Sequence, residues 1–380
     1  MPIHDLQIPG NTTLRKGGVF LDEFDCRTKI ISGTGTVRRL ADFGAKRLFL
    51  VTDPYFYENG TASRVAECAK AEQVEIFPDV KPDPTVELAA EGTAKLRAFG
   101  ADLIVALGGG SAMDCAKAMA YFAKGDAKLV AIPTTSGSGS EVTDFAILTH
   151  NSVKHPLIDR RLKPDMAILD SQLLQQLPPG LVADAGFDVI SHALEAYVAR
   201  GAGVFSDSMA REAFRAAYEA LPASFAGRKE VRLKVHQAAT MAGMAFSQAG
   251  LGLCHAMAHA LGGVFHVPHG RLNAILLPSV VGCNAHVAGA KYAQLARSAG
   301  LGGSAESVAV RNLRNALLRL RRELKLPETL AQAGIMPRDV WAQTEKIVEA
   351  TLQDPCCGSN PMTVEKFLVQ QILEEVTGRV

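Results

Sequence analysis

Up to about residue 180, short apolar runs alternate with amphipathic stretches. RLFLVTD (47–53), DLIVALGGG (102–110), LVAIPTT (129–135) and DMAILD (165–170) are brief, apolar and followed by turn residues, the pattern of buried strands. Between them, PTVELAAEGTAKLRAFG (84–100) predicts a helix, with Asp83 as its N-cap and Pro84 at the first helical position. Strand–helix alternation predicts a parallel sheet covered on both faces, with ligands outside the carboxyl ends of its strands. After LPPG (177–180) the texture changes to long Ala/Leu-rich windows, at 183–199, 205–221 and 231–247, without strand patterning. In RNLRNALLRLRRELK (311–325), Leu313, Leu317, Leu320 and Leu324 form one apolar stripe, and the arginines read as a solvated face.

The expected organisation is an α/β domain over 1–180 and an all-helical domain over 181–380, with residues 1–25 as an extension or tail. A length of 380 residues agrees, since that is more than one compact core holds. A net charge of +1 supplies no general field to recruit nucleic acid or a membrane surface. No uninterrupted apolar run reaches the ~20 residues that span a bilayer. The N-terminus lacks a secretory layout, and the seven cysteines have no zinc-site spacing; a reduced, cytoplasmic setting is expected.

Two stretches suggest a phosphate site. LIVALGGGSAMDCAKAMAYFA (103–123) reads as a strand, three glycines and a helix, so backbone N–H groups at a helix N-terminus can approach a pyrophosphate. The spacing is not G-x-G-x-x-G, and one such turn alone is weak. IPTTSGSGSEVT (132–143) follows a second strand with hydroxyls on flexible backbone, and the pair predicts a dinucleotide cleft. Asp53 ends the strand 47–53. There a carboxylate suits the ribose hydroxyls of NAD and repels the extra phosphate of NADP, but it equally suits the start of an Asp-Pro turn.

The helical half suggests a metal site. Four of the ten histidines, His255, His259, His266 and His269, lie in LCHAMAHALGGVFHVPHG (253–270). His255 and His259 share a helix face, as do Asp188 and His192 in DAGFDVISHALEAYVA (184–199). The Gly-Gly turn and Pro268 can fold His269 back toward them. Imidazoles with a carboxylate suit Fe(II) or Zn(II). Spacing alone does not choose between His255 and His259 as ligand, nor dismiss His266.

GGGSAMDCAKA, AIPTTSGSGSEVT, DVISHALEAYV and GLGLCHAMAHALGGVFHVPHG, in that order, closely resemble the iron-containing alcohol dehydrogenases, over about residues 28–375. The resemblance implies a Rossmann-like dinucleotide-binding domain followed by an all-α metal-binding domain, the dehydroquinate synthase-like fold, with the active site in the cleft between. It implies Asp188, His192, His255 and His269 as metal ligands, with His259 close by as the candidate proton relay. For the cofactor it implies Gly109, Gly110 and Ser111 at the pyrophosphate, with Asp114, Thr134, Thr135, Thr143 and Phe145 along the site. Asp83 stands in the loop KPDPT (81–85), Lys154 matches a lysine that reaches the ribose, and Asp53 matches a position favouring NAD.

The implied activity is interconversion of short-chain primary alcohols and aldehydes with NAD(H) and Fe(II), Zn(II) being an accepted substitute. The alternative is a zinc-dependent glycerol or polyol dehydrogenase of the same fold. MAGMAFSQAGLGLCHAMAH (241–259) further resembles the short-chain alcohol dehydrogenases of bacterial microcompartments, which implies a place inside such a compartment with shell or cargo proteins as partners; the family resemblance implies a homodimer or larger homo-oligomer. Arg271, where relatives carry a small or apolar residue, is expected to point away from the metal; Cys356 and Cys357 are expected to be ordinary reduced thiols. A metal-dependent hydrolase is disfavoured, because Ala256 follows His255 where His-Glu-x-x-His needs its base.

Overall fold

The structure, a computed structural model, describes residues 24–151 and 153–378. They form two compact units. The first comprises Cys26–Pro178 and Arg228–Gly243; the second comprises Pro179–Gly227 and 244–378, joined by Phe24 and Asp25. Most of the expected N-terminal extension lies outside the described residues; Phe24 stacks on Phe205 of the second unit at 5.6 Å.

The first unit is built on a six-stranded sheet. In chain order its strands are β1 (Lys29–Gly33), β2 (Arg47–Val51), β3 (Gln73–Phe77), β4 (Leu103–Gly108), β5 (Lys128–Pro133) and β8 (Met166–Asp170). Their spatial order is β1-β8-β5-β4-β2-β3, and every pairing is parallel. Alternate residues serve opposite faces. Leu48, Leu50, Val105, Leu107, Val130, Ile132 and Ile168 pack on one side, and Phe49, Val51, Ile104, Ala106, Leu129 and Ala131 on the other. Each large side chain buried in this way stabilises the fold by roughly 1.5–3 kcal/mol. The four expected strands are β2, β4, β5 and β8. The edge strands β1 (KIISG) and β3 (QVEIF) were not expected, because each has a neighbour on one side only and carries polar residues. A separate antiparallel pair, β6 (Phe145–His150) and β7 (Val153–Ile158), follows β5.

The chain runs from β2 out to β3 and returns to place β4 on the other side of β2. That reversal of strand order opens a crevice at the carboxyl ends of β2 and β4. Asp53 and Gly108–Gly110 sit at those two ends. The helix after β3 spans Val86–Phe99, and its cap corrects the expectation: Thr85 Oγ1 accepts the Leu88 N–H at 3.1 Å. Asp83 instead adopts a left-handed φ of 56° and pairs with Lys154, Oδ1 to Nζ 2.6 Å.

The second unit holds the long helices Pro179–Val198, Val204–Phe225, Leu253–Phe265, His269–Ser298 and Glu306–Glu323. Leu313, Leu317, Leu320 and Leu324 are buried, as their stripe predicts. His269–Ser298 is long and apolar enough by composition to cross a bilayer, but it is a core helix, with 72% of its most apolar window buried. The expected boundary at 180 misses one segment. The helix Arg232–Ala249 belongs to the α/β unit up to Gly243. Gly139 and Gly243 let two backbones meet there: a Cβ on Gly243 would lie 2.7 Å from the Gly139 carbonyl oxygen. Thr240 Oγ1 donates to the buried Glu141 at 2.6 Å, and Ser136 bonds His236 at 3.0 Å. These tertiary pairings leave no mark in a helical sequence period.

Candidate functional site

At the crevice of the α/β unit, β4 runs into Gly108, Gly109 and the helix Gly110–Ala123. Gly109 is the N-cap and offers no side-chain hydrogen bond, so the first helical N–H groups have no side-chain acceptor at the cap. Gly108 has φ 151°, and a Cβ there would come within 2.6 Å of the Ala112 methyl and 3.5 Å of Asp53 Oδ2. Glycine therefore lets the turn close beside the Asp53 carboxylate. The loop after β5 packs onto this turn: Cβ atoms on Gly109 and Gly110 would meet Thr135 Oγ1 at 3.3 Å and Ser138 Cβ at 3.2 Å. Ser111 is the second residue of the helix. Asp53 is the N-cap of Pro54–Glu58, Oδ1 accepting the Phe56 N–H at 3.0 Å, so the Asp-Pro turn is present; burial raises its pKa.

Two hydroxyls at these strand ends are buried without a hydrogen-bond partner among the described residues, Thr52 Oγ1 and Thr134 Oγ1. An orphaned hydroxyl in a native fold calls for a partner. Together with the bare helix N-terminus and the glycines, it makes this a cradle whose residues fit a dinucleotide.

Beneath the loop lies a buried network that sequence reasoning missed in part. Lys117 Nζ donates to Ser140 Oγ, Thr143 Oγ1 and the Phe145 carbonyl, each at 2.9 Å. Burial pushes Lys117 down to about 8, against the opposing pull of Asp114 and Glu141. Asp114 accepts from Ser140 Oγ at 2.6 Å and from the Ile147 N–H at 3.1 Å, and burial raises its pKa. Asp114 and the fully buried Thr143 thus engage their polar atoms within the unit and shape the loop. A lysine in an amphipathic helix reads as a solvent residue, so Lys117 gave no signal.

In the helical unit, Asp188 and His192 come from Pro179–Val198, His255 from Leu253–Phe265, and His269 opens His269–Ser298 after the N-cap Pro268. The structure brings Asp188, His192 and His255 together, with one ligand atom of each within 4.8 Å of the others, and places His269 beside Asp188. Asp188 Oδ1 lies 3.7 Å from His255 Nε2 and 3.6 Å from His269 Nε2, and Asp188 Oδ2 lies 3.9 Å from His192 Nδ1. Asp188, His192 and His255 are buried. Burial alone would raise the Asp188 carboxyl, but the imidazoles outweigh it and hold the group well below the usual carboxylate range. Burial drives His269 well below its ordinary value, which keeps its ring neutral. His255 is opposed by burial but raised to about 9 by Asp188 and Glu195. A carboxylate whose two oxygens face three imidazole nitrogens is a set that fits a divalent borderline metal.

Neighbouring groups orient these donors. Glu195, seven residues after Asp188, faces His255 Nδ1 with Oε2 at 2.6 Å. Asn273 Nδ2 donates to Asp188 Oδ1 at 2.7 Å. Arg271 is turned onto Asp184, Nε and Nη2 reaching its two oxygens at 3.2 and 2.9 Å, so the guanidinium clamps two helices. His259 is outside the quartet: its ring stacks on His269 at 5.0 Å and its Nδ1 bonds Asp354 Oδ2 at 2.9 Å. His266 ends its helix in a left-handed conformation, φ 55°.

Residues 27–171 match the family model described as iron-containing alcohol dehydrogenase, and residues 182–377 match its C-terminal counterpart, described as Fe-containing alcohol dehydrogenase family, C-terminal. The chain belongs to the iron-containing alcohol dehydrogenase family. This dehydrogenase is 37% identical to the NADPH-dependent butanol dehydrogenase of Clostridium saccharobutylicum, over 91% of this chain and 95% of the relative. It is 36% identical to the 1-propanol dehydrogenase PduQ of Salmonella typhimurium, over 94% of this chain and 100% of the relative. The solved iron-containing alcohol dehydrogenase of Thermococcus thioreducens superposes with a TM-score of 0.87 at 33% identity, covering 93% of this chain and 99% of that one. The protein is therefore an oxidoreductase that interconverts alcohols and aldehydes with a nicotinamide cofactor. Its fold is the family's: a parallel-sheet nucleotide-binding domain and a helical domain. The zinc glycerol dehydrogenase alternative gains no support from these relatives.

Proposed function

We propose that this iron-type dehydrogenase acts on short-chain primary alcohols and their aldehydes, with NAD(H) on the α/β unit and Fe(II) held by Asp188, His192, His255 and His269. The expected 1–180 and 181–380 division is refined to Cys26–Pro178 with Arg228–Gly243 for the cofactor, and the helical unit for the metal. Three imidazoles facing one buried carboxylate carry this assignment. The metal supplies Lewis acidity at the substrate oxygen, and the nicotinamide supplies or accepts the hydride.

The chain's own groups do the rest. Gly109, Gly110 and Ser111 present backbone N–H groups to the pyrophosphate, with Thr134 and Thr135 beside them. Asp53 keeps Oδ2 next to the glycine turn and discriminates against a 2′-phosphate. Thr143 and Phe145 hold the loop through Lys117, and Asp114 holds it through Ser140. Asp83 positions Lys154 for the ribose. His259, its Nδ1–H donated to Asp354, takes up or releases the substrate proton at Nε2.

We also propose a homodimer or larger homo-oligomer, on the family resemblance, associated with microcompartment shell or cargo proteins, on the resemblance of residues 241–259 to that branch; solution mass tests the first and co-sedimentation the second. For the activity, metal-stripped protein is reloaded with Fe(II) or Zn(II), and NADH oxidation is followed against aldehydes of increasing chain length. Highest kcat/KM on two- to four-carbon aldehydes (order of magnitude of pocket discrimination, about 10-fold per methylene) is expected; a preference for polyols would refute the substrate assignment.

A further inference from the structure

We propose that His259, Asp354 and Cys356 form a second cation site, built for a thiophilic divalent ion of the zinc or cadmium class. One nitrogen, one oxygen and one sulfur donor from these residues lie within 4.8 Å of one another. They come from separate places in the chain: His259 from the helix Leu253–Phe265, Asp354 from the junction after the helix Thr344–Gln353, and Cys356 from the first turn of Pro355–Ser359.

The carboxylate is already oriented. Asp354 Oδ1 accepts the Cys356 N–H at 2.8 Å, which leaves Oδ2 on His259 Nδ1 at 2.9 Å. The adjacent thiol is turned elsewhere, Cys357 Sγ lying 2.9 Å from the Thr351 carbonyl oxygen, so a single sulfur faces the cluster. All three residues are half-buried, which permits entry and leaves room for a fourth ligand from solvent. Three protein donors with one open position are a common zinc arrangement. The thiolate sets this cluster apart from the quartet, whose donors are nitrogen and oxygen, and shifts its preference toward softer ions.

Binding conserves charge and protons simply. The Cys356 thiol loses its proton to solvent as the metal–sulfur bond forms, and the His259 proton moves from Nδ1 to Nε2 as Nδ1 turns its lone pair to the ion. An ion here takes the two residues that the proposed proton relay uses, and so inhibits. That consequence rests on the relay assignment; binding itself does not.

The test adds cadmium to the iron-loaded enzyme and reads the cadmium–thiolate charge-transfer absorption, which the sulfur-free quartet cannot produce. One equivalent of this band is expected in the wild type and in Cys357→Ser, and loss of that equivalent in Cys356→Ser. His259→Ala should weaken it at least about 10-fold. Zinc should inhibit the loaded wild type, and Cys356→Ser should resist it. An unchanged band in Cys356→Ser, or no stoichiometric band in the wild type, overturns the site. A band that depends on Cys356 without inhibition keeps the site and rejects the relay.

Discussion

Glu195 Oε2 lies 2.6 Å from His255 Nδ1, with both side chains almost fully buried. The same carboxylate accepts the backbone N–H groups of Gly252, Cys254 and His255 at 3.0, 2.7 and 3.2 Å. One residue therefore caps the helix that carries His255 and turns the ring so that Nε2 faces Asp188. Gly252 is required beside it, since a Cβ there would sit 2.8 Å from Glu195 Oε1. Glu195→Gln keeps an acceptor for the cap but loses the charge behind His255. Metal affinity, measured by competition with a chelator, should fall roughly 10–100-fold while the fold persists. Unchanged affinity would reduce Glu195 to a cap.

Asp53 combines a helix cap with the proposed cofactor selection. Asp53→Asn retains an oxygen for the Phe56 N–H and removes the charge; Asp53→Gly removes both, at a cost of only a few tenths of a kcal/mol in stability. Both should raise the NADPH/NADH ratio of kcat/KM by about 10-fold, equivalent to about 1.4 kcal/mol. An unaltered ratio would mean that Asp53 only shapes its turn.

Lys117 makes stability depend on pH. Its folded value, about 8, lies below its ordinary 10.5, so between these values the unfolded chain binds more protons. Stability should therefore rise as pH climbs through that window, by up to about 3 kcal/mol from this group. Lys117→Met should abolish the rise. Urea denaturation of both proteins at about pH 7.5 and about pH 10 reads the difference; parallel curves would contradict the assignment.

His259→Ala should keep bound iron and slow turnover by roughly 10²–10⁴-fold, the range of general acid–base catalysis. Asp354→Asn should slow it less, since the imidazole stays. Loss of iron in His259→Ala would instead make His259 a ligand.

The buried strands were legible because both faces of a parallel sheet are covered, so β2, β4, β5 and β8 read as unbroken apolar runs. The pairs Asp188–His192 and His255–His259 were legible as neighbours on one helix face, whereas the choice of Asp188, His192, His255 and His269 as ligands rests on the family resemblance and not on spacing. Glu195, Asn273 and Asp354 escaped notice because their significance lies in partners 60, 85 and 95 residues away. A local period carries no record of such pairings. Asp83 misled for a related reason: beside proline it resembles a cap, but Thr85 has the geometry to reach Leu88.

The most direct test is iron titration of metal-stripped wild type and His269→Ala, reading bound iron and NADH-dependent aldehyde reduction together. In the wild type, activity should grow in proportion to iron up to one ion per chain, and His269→Ala should show neither tight binding nor turnover. Full activity without metal, or a His269→Ala protein that binds iron and turns over normally, would contradict the account.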